Sequence, residues 1–407
     1  MQETTPAEGH LSEYFAVAAL ILFFIALSII LHTLPCSTPM QGLTDAQWEK
    51  RVTIHLEGYP FLRRVPFTHL TLGVHKLTDW PYRQSFYFLQ YLLLAVAATL
   101  FYRFLKSMRF SFAWGFCGVG LFLSAYPVLL GFSEPVHTWD DIWFYSALIL
   151  TVGAFFRRQM FIAVAAFTVA LYAREQTLTL YPIYAAGIWF FGTSHRKVVR
   201  LALIAAPLVI FAPFFLPGWR VPTPNEEIQS TNFGSPGRSA NSIFSLINSF
   251  GVLWITWIFG LVQYFRQPRR SHTETDRFFA WTSIYAVIAT VTVVMQVGWM
   301  RETRLFFPPF LWMIPISLWW LGRAVARLRS GPAWSWMLVV LVTVLSVYYG
   351  MPMGARIFPD LDYRNCASIC QGWIGIELGL AVAVCFLAII STIVSRRSPD
   401  PTLISGE

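Results

Sequence analysis

"MFIAVAAFTVALYAREQTLTLYPIYAAGIWFF", residues 160 to 191, is an apolar run interrupted near its middle by adjacent charges, Arg174 and Glu175. About 20 residues suffice to cross roughly 30 Å of hydrocarbon, so a single helix over this run is overlong. It would also turn the next four basic clusters outward, against the rule that short cytoplasmic loops collect Lys and Arg. Two short spans, 160 to 172 and 177 to 191, avoid both problems. The first reaches only about 20 Å, which leaves Arg174 and Glu175 at or just below the outer surface. Charges at that depth point to function by default. The plainer reading is that the two neutralise each other and cap a helix hairpin in a locally thinned bilayer. A second stretch, "MRETRLFFPP" at 300 to 309, nearly repeats the pattern with Arg301, Glu302 and Arg304.

Working outward, the whole chain has this character. Of 407 residues 56% are hydrophobic, 17% aromatic and only 13% charged, which excludes an ordinary soluble domain. The expectation is an all-α, polytopic membrane protein with about 12 transmembrane helices and one membrane domain over 1 to 407. The spans fall at 15 to 34, 85 to 102, 111 to 132, 142 to 156, 160 to 172, 177 to 191, 201 to 217, 243 to 265, 279 to 299, 305 to 322, 334 to 350 and 373 to 394. With both termini cytoplasmic, the clusters Arg103/Lys106/Arg109, Arg157/Arg158, Arg196/Lys197/Arg200, Arg266/Arg269/Arg270/Arg277, Arg323/Arg327/Arg329 and Arg396/Arg397 all lie inside. The net charge of +9 comes mainly from these clusters, which suit anionic lipid heads; no basic and aromatic array indicates nucleic acid. An acidic N-terminal tail and the lack of a small-x-small cleavage site make the first run an uncleaved helix.

The outer segment from 35 to 84 is far longer than a connection requires. Val52, Leu56 and Tyr59, then Phe67, Leu70, Val74 and Leu77, recur at threes and fours, the period of amphipathic helices lying on the membrane face. Breaks are expected near Gly58 and Pro60 and again near Pro66. The polar faces then carry Asp45, Glu49, His55, Glu57, Arg63, Arg64 and His69.

The other outer loops add few charges. "SEPVHTWDD", 133 to 141, sets Asp140 and Asp141 at the mouth of a helix, where capping explains one of them. The loop 218 to 242, with Glu226, Glu227 and Arg238 among Pro, Gly, Ser and Asn, has the composition of a lid. The last outer loop, 351 to 372, contains Asp360 and Asp362, a D-x-D that holds a divalent ion in some proteins and forms a solvated turn in more. The scattered histidines lack ligand spacing. Of five cysteines, Cys117 and Cys385 lie in spans; Cys36, Cys366 and Cys370 lie outside, where a disulfide from Cys36 to either partner stands beside free thiols as the alternative.

Carboxylates and helix-end arginines thus converge on the outer face. Attack on a phosphate-linked group needs a carboxylate to take the acceptor's proton and cations to hold the departing phosphate. The planar fork of Arg suits the second task.

The long segment after the first helix, the acidic "HTWDD" and the "ARE" and "RETR" stretches together resemble the GT-C superfamily of integral-membrane glycosyltransferases. "GYPFLRRVPFTHL" followed by "YRQSFYFLQYLLL" also looks like bacterial members whose substrate is unassigned. The resemblance covers about residues 15 to 322 and implies a GT-C-like fold in the bacterial inner (plasma) membrane. It implies inverting transfer of a sugar from a polyprenyl-phosphate donor to a lipid-linked, glycan or protein acceptor. By position the base is Asp45 or Glu57, with Asp140 and Asp141 organising the site, in some members with a divalent metal such as Mg or Mn. Arg63, Arg64, Arg301 and Arg304 would hold the phosphate, while Arg174, Glu175 and Glu302 would line the substrate cavity. The chain departs from the family in placing its first outer carboxylate, Asp45, eleven positions beyond Leu34. Two other classes use the same charges: a transporter or flippase of a lipid-linked or anionic solute, and a noncatalytic membrane subunit that docks partners.

Overall fold

A computed structural model of the chain describes residues 6–33, 44–57, 65–129, 140–192, 196–215, 236–267, 273–297, 305–357 and 367–397, and every regular element among them is helical. The helices are α1 (Pro6–Thr33), α2 (Asp45–Glu57), α3 (Val65–Thr78), α4 (Tyr82–Ser107), α5 (Phe112–Ser124), α6 (Tyr126–Leu129), α7 (Asp141–Phe156), α8 (Met160–Ala173) and α9 (Tyr181–Phe191). They continue as α10 (Lys197–Phe215), α11 (Pro236–Asn248), α12 (Leu253–Arg266), α13 (Glu274–Val297), α14 (Phe310–Arg329), α15 (Ala333–Ile357) and α16 (Ala367–Arg397). Five helices are long and apolar enough to cross a membrane, or six if the bent pair α11 and α12 is one span, which is the pattern of a multi-pass membrane protein. Large apolar side chains on the outer surface of the helices stay exposed, among them Phe15 and Leu22 of α1, Phe161 of the shorter α8 and Val344 of α15. Lipid is the solvent that such a surface requires.

Several expected spans are interrupted. The described part of 111 to 132 forms α5 and α6, separated at Ala125 by an extended backbone. Residues 243 to 265 bend by 57° between α11 and α12. The stretch 177 to 191 begins as the 3-10 helix Glu175–Leu180, so α9 has only 11 residues. The expected outer loops are also shorter: α11 starts at Pro236, inside 218 to 242, whereas α15 and α16 take residues from both ends of 351 to 372.

Antiparallel packing gives the bundle two distinct ends. The turn between α7 and α8 is closed by Gln159 N–H donating to Ala154 and Arg158 N–H to Phe155, with Arg158 in the left-handed region. Beside it, Phe155 and Phe156 pack on Phe191, Phe278 and Phe279. These rings bring the ends of α7 and α9 and the start of α13 together, and with them Arg157, Arg158, Arg200 and Arg277. Arg200 also donates to the last carbonyls of α9, at Trp189 (3.2 Å) and Gly192 (3.1 Å), the favoured place for a cation at a helix C-terminus. Glu13 of α1 meets Tyr102 (2.8 Å) and Lys106 (3.3 Å) of α4 at this same arginine-bearing end. At the opposite end, Ser28 of α1 donates to Leu129 of α6.

The amphipathic segment also lies at that opposite end. α2 opens with a capping box: Gln47 N–H donates to Thr44 Oγ1 (3.4 Å) and Thr44 N–H to Gln47 Oε1 (2.9 Å). Trp48 and Val52, one turn apart, are buried, and Trp48 packs on Phe86 and Tyr87 near the start of α4. The boundary expected near Pro66 is the start of α3 at Val65, where proline is tolerated because its missing N–H costs nothing in a first turn, whereas Gly58 and Pro60 lie outside the described residues. The face of α3 toward the protein carries Thr68 and Thr71, whereas Leu70 and Leu77 are exposed. An interfacial helix turns its apolar stripe to lipid, and the exposure of Leu70 and Leu77 is what such a helix on the membrane face requires.

Candidate functional site

The hairpin of α7 and α8 fixes the centre of the site. Two antiparallel helices joined by a tight turn bring residues equidistant from that turn face to face, and Asp141 and Arg174 stand at matching positions. Their side chains form an ion pair in which both partners are buried.

Local structure explains why Arg174 turns inward. α8 ends at Ala173, and Arg174 is extended (φ −151°, ψ 125°) before the 3-10 helix begins. The carbonyl of Ala170, otherwise orphaned at the helix end, accepts from Arg174 N–H (2.9 Å) and from Thr177 Oγ1 (2.8 Å). Thr177 N–H in turn donates to the Arg174 carbonyl (3.0 Å). The turn is thus held by the buried Thr177, and the guanidinium points across to α7 rather than out to water.

Asp140 is also buried, but at the N-cap position it has helical backbone angles and makes no side-chain capping bond. Asp140 therefore does not supply the side-chain cap expected of one of these carboxylates. Asp141 lies in the first turn of α7, where the helix dipole favours an anion. A buried ion pair is costly to desolvate, and removing one partner leaves an uncompensated charge worth about 3–5 kcal/mol.

Glu175, the first residue of the 3-10 helix, is half-buried beside this pair. Gln176 Nε2 reaches the carbonyl of Leu305 at 3.5 Å. The residue after "ARE" therefore meets the residue after "RETR", so the two similar stretches approach each other through their flanks. Phe307, in the described end of the second stretch, and Phe310 just beyond it stack on each other at 4.7 Å and pack on Phe122 and Tyr145. Between the stretches, Gln176, Thr179, Thr290 and Pro308 line a cavity of about 10 Å³, the size of one water molecule.

The remaining expected residues divide into two groups. Asp45 is exposed in the first turn of α2, outside the ion pair, and Glu49 and His69 are exposed on the same segment. Arg63, Arg64, Arg301, Glu302 and Arg304 lie outside the described residues, as do Asp360, Asp362 and Cys36, while Glu57 and His55 are described only in backbone. No group of three or more His, Cys, Asp or Glu side chains among the described residues could share a metal ion. Asp140 and Asp141 supply two carboxylates, one of them engaged by Arg174, so the described residues do not fit a Mg or Mn site.

The sequence reading passed over Glu377. Its carboxylate, in the middle of α16, accepts the N–H of Val252 at 2.7 Å, at the start of α12. The preceding Gly251 has φ +48° and packs so closely on Glu377 that a Cβ would collide with it. A lone acid in "WIGIELGLAVAVCFLAII" was the available signal, since an ionisable residue inside an apolar helix needs a partner.

Comparison of the chain with protein-family models, with curated proteins and with solved structures finds no match in any of the three.

Proposed function

We propose that the chain is a GT-C-type membrane glycosyltransferase that moves a sugar from a polyprenyl phosphate to a lipid-linked, glycan or protein acceptor at the outer membrane face. One observation carries this reading. A buried carboxylate and a buried guanidinium meet at the end of the α7–α8 hairpin, at the same end of the bundle as the segment bearing Asp45 and Glu49. In the proposed reaction a carboxylate of that segment, Asp45 or Glu57, takes the proton of the acceptor hydroxyl. The acceptor oxygen attacks the anomeric carbon, the bond from that carbon to the phosphate oxygen breaks, and the polyprenyl phosphate departs with the bonding electrons. Arginines of the outer segment and of 301 to 304 stabilise its charge through paired N–H donors. Asp141 keeps Arg174 oriented and holds the wall of the site in place.

Twelve crossings with cytoplasmic termini, in a bacterial plasma membrane, belong to the same proposal. Helices of 11 to 16 residues such as α7, α8 and α9 reach only about 17–24 Å, so the bilayer around them would be thin and a lipid phosphate would come down to the level of the ion pair.

The test is incubation of the purified protein in liposomes with a panel of polyprenyl-phosphate sugars, together with complementation of a deletion by Asp45→Asn, Glu57→Gln and Asp141→Asn. Consumption of one donor and failure of at least one variant are expected. No binding or consumption of any donor, with full complementation by all three, would overturn the proposal.

A further inference from the structure

A second site lies at the arginine-bearing end, far from the ion pair. Leu100, Arg103 and Phe104 of α4, Ile149, Leu150, Gly153 and Ala154 of α7, Arg157 and Gln159 of the turn and Ile162 of α8 enclose a groove of about 110 Å³. Its walls are apolar, and Leu150 and Ile162 remain 39% and 46% exposed at the bundle surface. Its rim is cationic: Arg103 and Arg157 are both exposed, and neither makes an ion pair or side-chain hydrogen bond among the described residues. Gly153 keeps the floor open, since a larger side chain there would project toward Phe104.

This arrangement differs from an ordinary charged loop. Lys106, three residues from Arg103, is already neutralised by Glu13, and Arg200 is spent on helix carbonyls. Arg103 and Arg157 are left facing the same opening, with no carboxylate among the residues lining it. Two guanidiniums above an apolar channel that opens sideways to the lipid match one class of ligand, which pairs an anionic phosphate with an acyl chain.

We propose that this groove binds an anionic phospholipid of the surrounding leaflet. Its phosphate lies between Arg103 and Arg157, Gln159 donates to the headgroup, and an acyl chain runs along Leu100, Leu150 and Ile162. The site is independent of the transfer chemistry, and it anchors the α7–α8 turn from which the ion pair at the other end is positioned.

The protein, reconstituted in nanodiscs of phosphatidylcholine with and without phosphatidylglycerol, is released and its retained lipids are counted by native mass spectrometry. Phosphatidylglycerol is expected to be retained over phosphatidylcholine by about tenfold or more, the scale given by two arginines. Arg103→Gln with Arg157→Gln should abolish the preference, and Arg266→Gln, outside the groove, should keep it. Ile162→Trp fills the apolar channel from an exposed position while leaving both charges, so it tests the site even if the double variant folds poorly; it too should lose the lipid. An unchanged preference in folded double and Ile162→Trp variants would overturn the proposal. So would inorganic phosphate competing as well as added phosphatidylglycerol, because the acyl chain would then contribute nothing.

Discussion

Asp141 lies sixteen residues before Arg157, and Arg174 sixteen residues after Arg158, so the α7–α8 turn sets these two side chains opposite each other, where they form a buried ion pair. At 1.5 Å per residue the pair is about 24 Å from the turn. One hairpin thus carries arginines at its bend that make no ion pair among the described residues and a neutralised pair at its open end, and this polarity organises the molecule.

The pair should behave as a unit in stability measurements. Asp141→Ala and Arg174→Ala are each expected to cost about 3–5 kcal/mol, because each leaves the other charge buried alone. The double variant Asp141→Ala with Arg174→Ala should cost less than the sum of the two, and thermal unfolding of the four proteins in one detergent reads the coupling. Additive losses would show that the pair is not coupled.

Glu377 should act as a hydrogen-bond acceptor for the broken helix. Glu377→Gln keeps an oxygen toward Val252 N–H and should be tolerated, whereas Glu377→Leu strands a buried donor and should cost about 1–3 kcal/mol. Gly251→Ala adds a Cβ against the carboxylate at a left-handed backbone position and should be worse than Glu377→Gln. Melting temperatures compared across the three variants check the order.

α15 and α16 approach through glycine. A Cβ built on Gly350 would strike the backbone at Gly375, and one on Gly379 would strike Ser346. Small residues four apart, as at Gly375 and Gly379, allow this close packing, which in lipid replaces the hydrophobic drive available in water. Gly350→Leu and Gly375→Leu should therefore lower stability by about 1–3 kcal/mol or more. Gly372→Leu, where nothing lies close to the added Cβ, should do little.

Much of this was legible in the sequence, and the failures have physical causes. The apolar runs announced the membrane helices, and the charges at 174 and 175 correctly marked a helix end. Counting back from "RRQ" through one antiparallel hairpin would also have given Asp141 as the partner of Arg174, a step that needs tertiary pairing rather than hydropathy. Hydropathy likewise does not register a break such as Ala125 or the α11–α12 bend, because the residues on both sides are equally apolar. For Leu70 and Leu77 the period was visible and their exposure agrees with a stripe turned to lipid, whereas Val52 of the same pattern is buried against protein, because periodicity is the same whichever of the two a stripe faces. Glu377 was missed because its partner, the N–H of Val252, is a backbone group 125 residues away.

The most direct test of the two-ended arrangement is accessibility labelling of single cysteines introduced into a protein whose own five are replaced by serine. Glu49→Cys, on the exposed face of α2, and Arg158→Cys, at the α7–α8 turn, are treated in intact cells with a membrane-impermeant maleimide. The account predicts that Glu49→Cys is modified from outside and Arg158→Cys only after the membrane is opened. Modification of both from one side would contradict it.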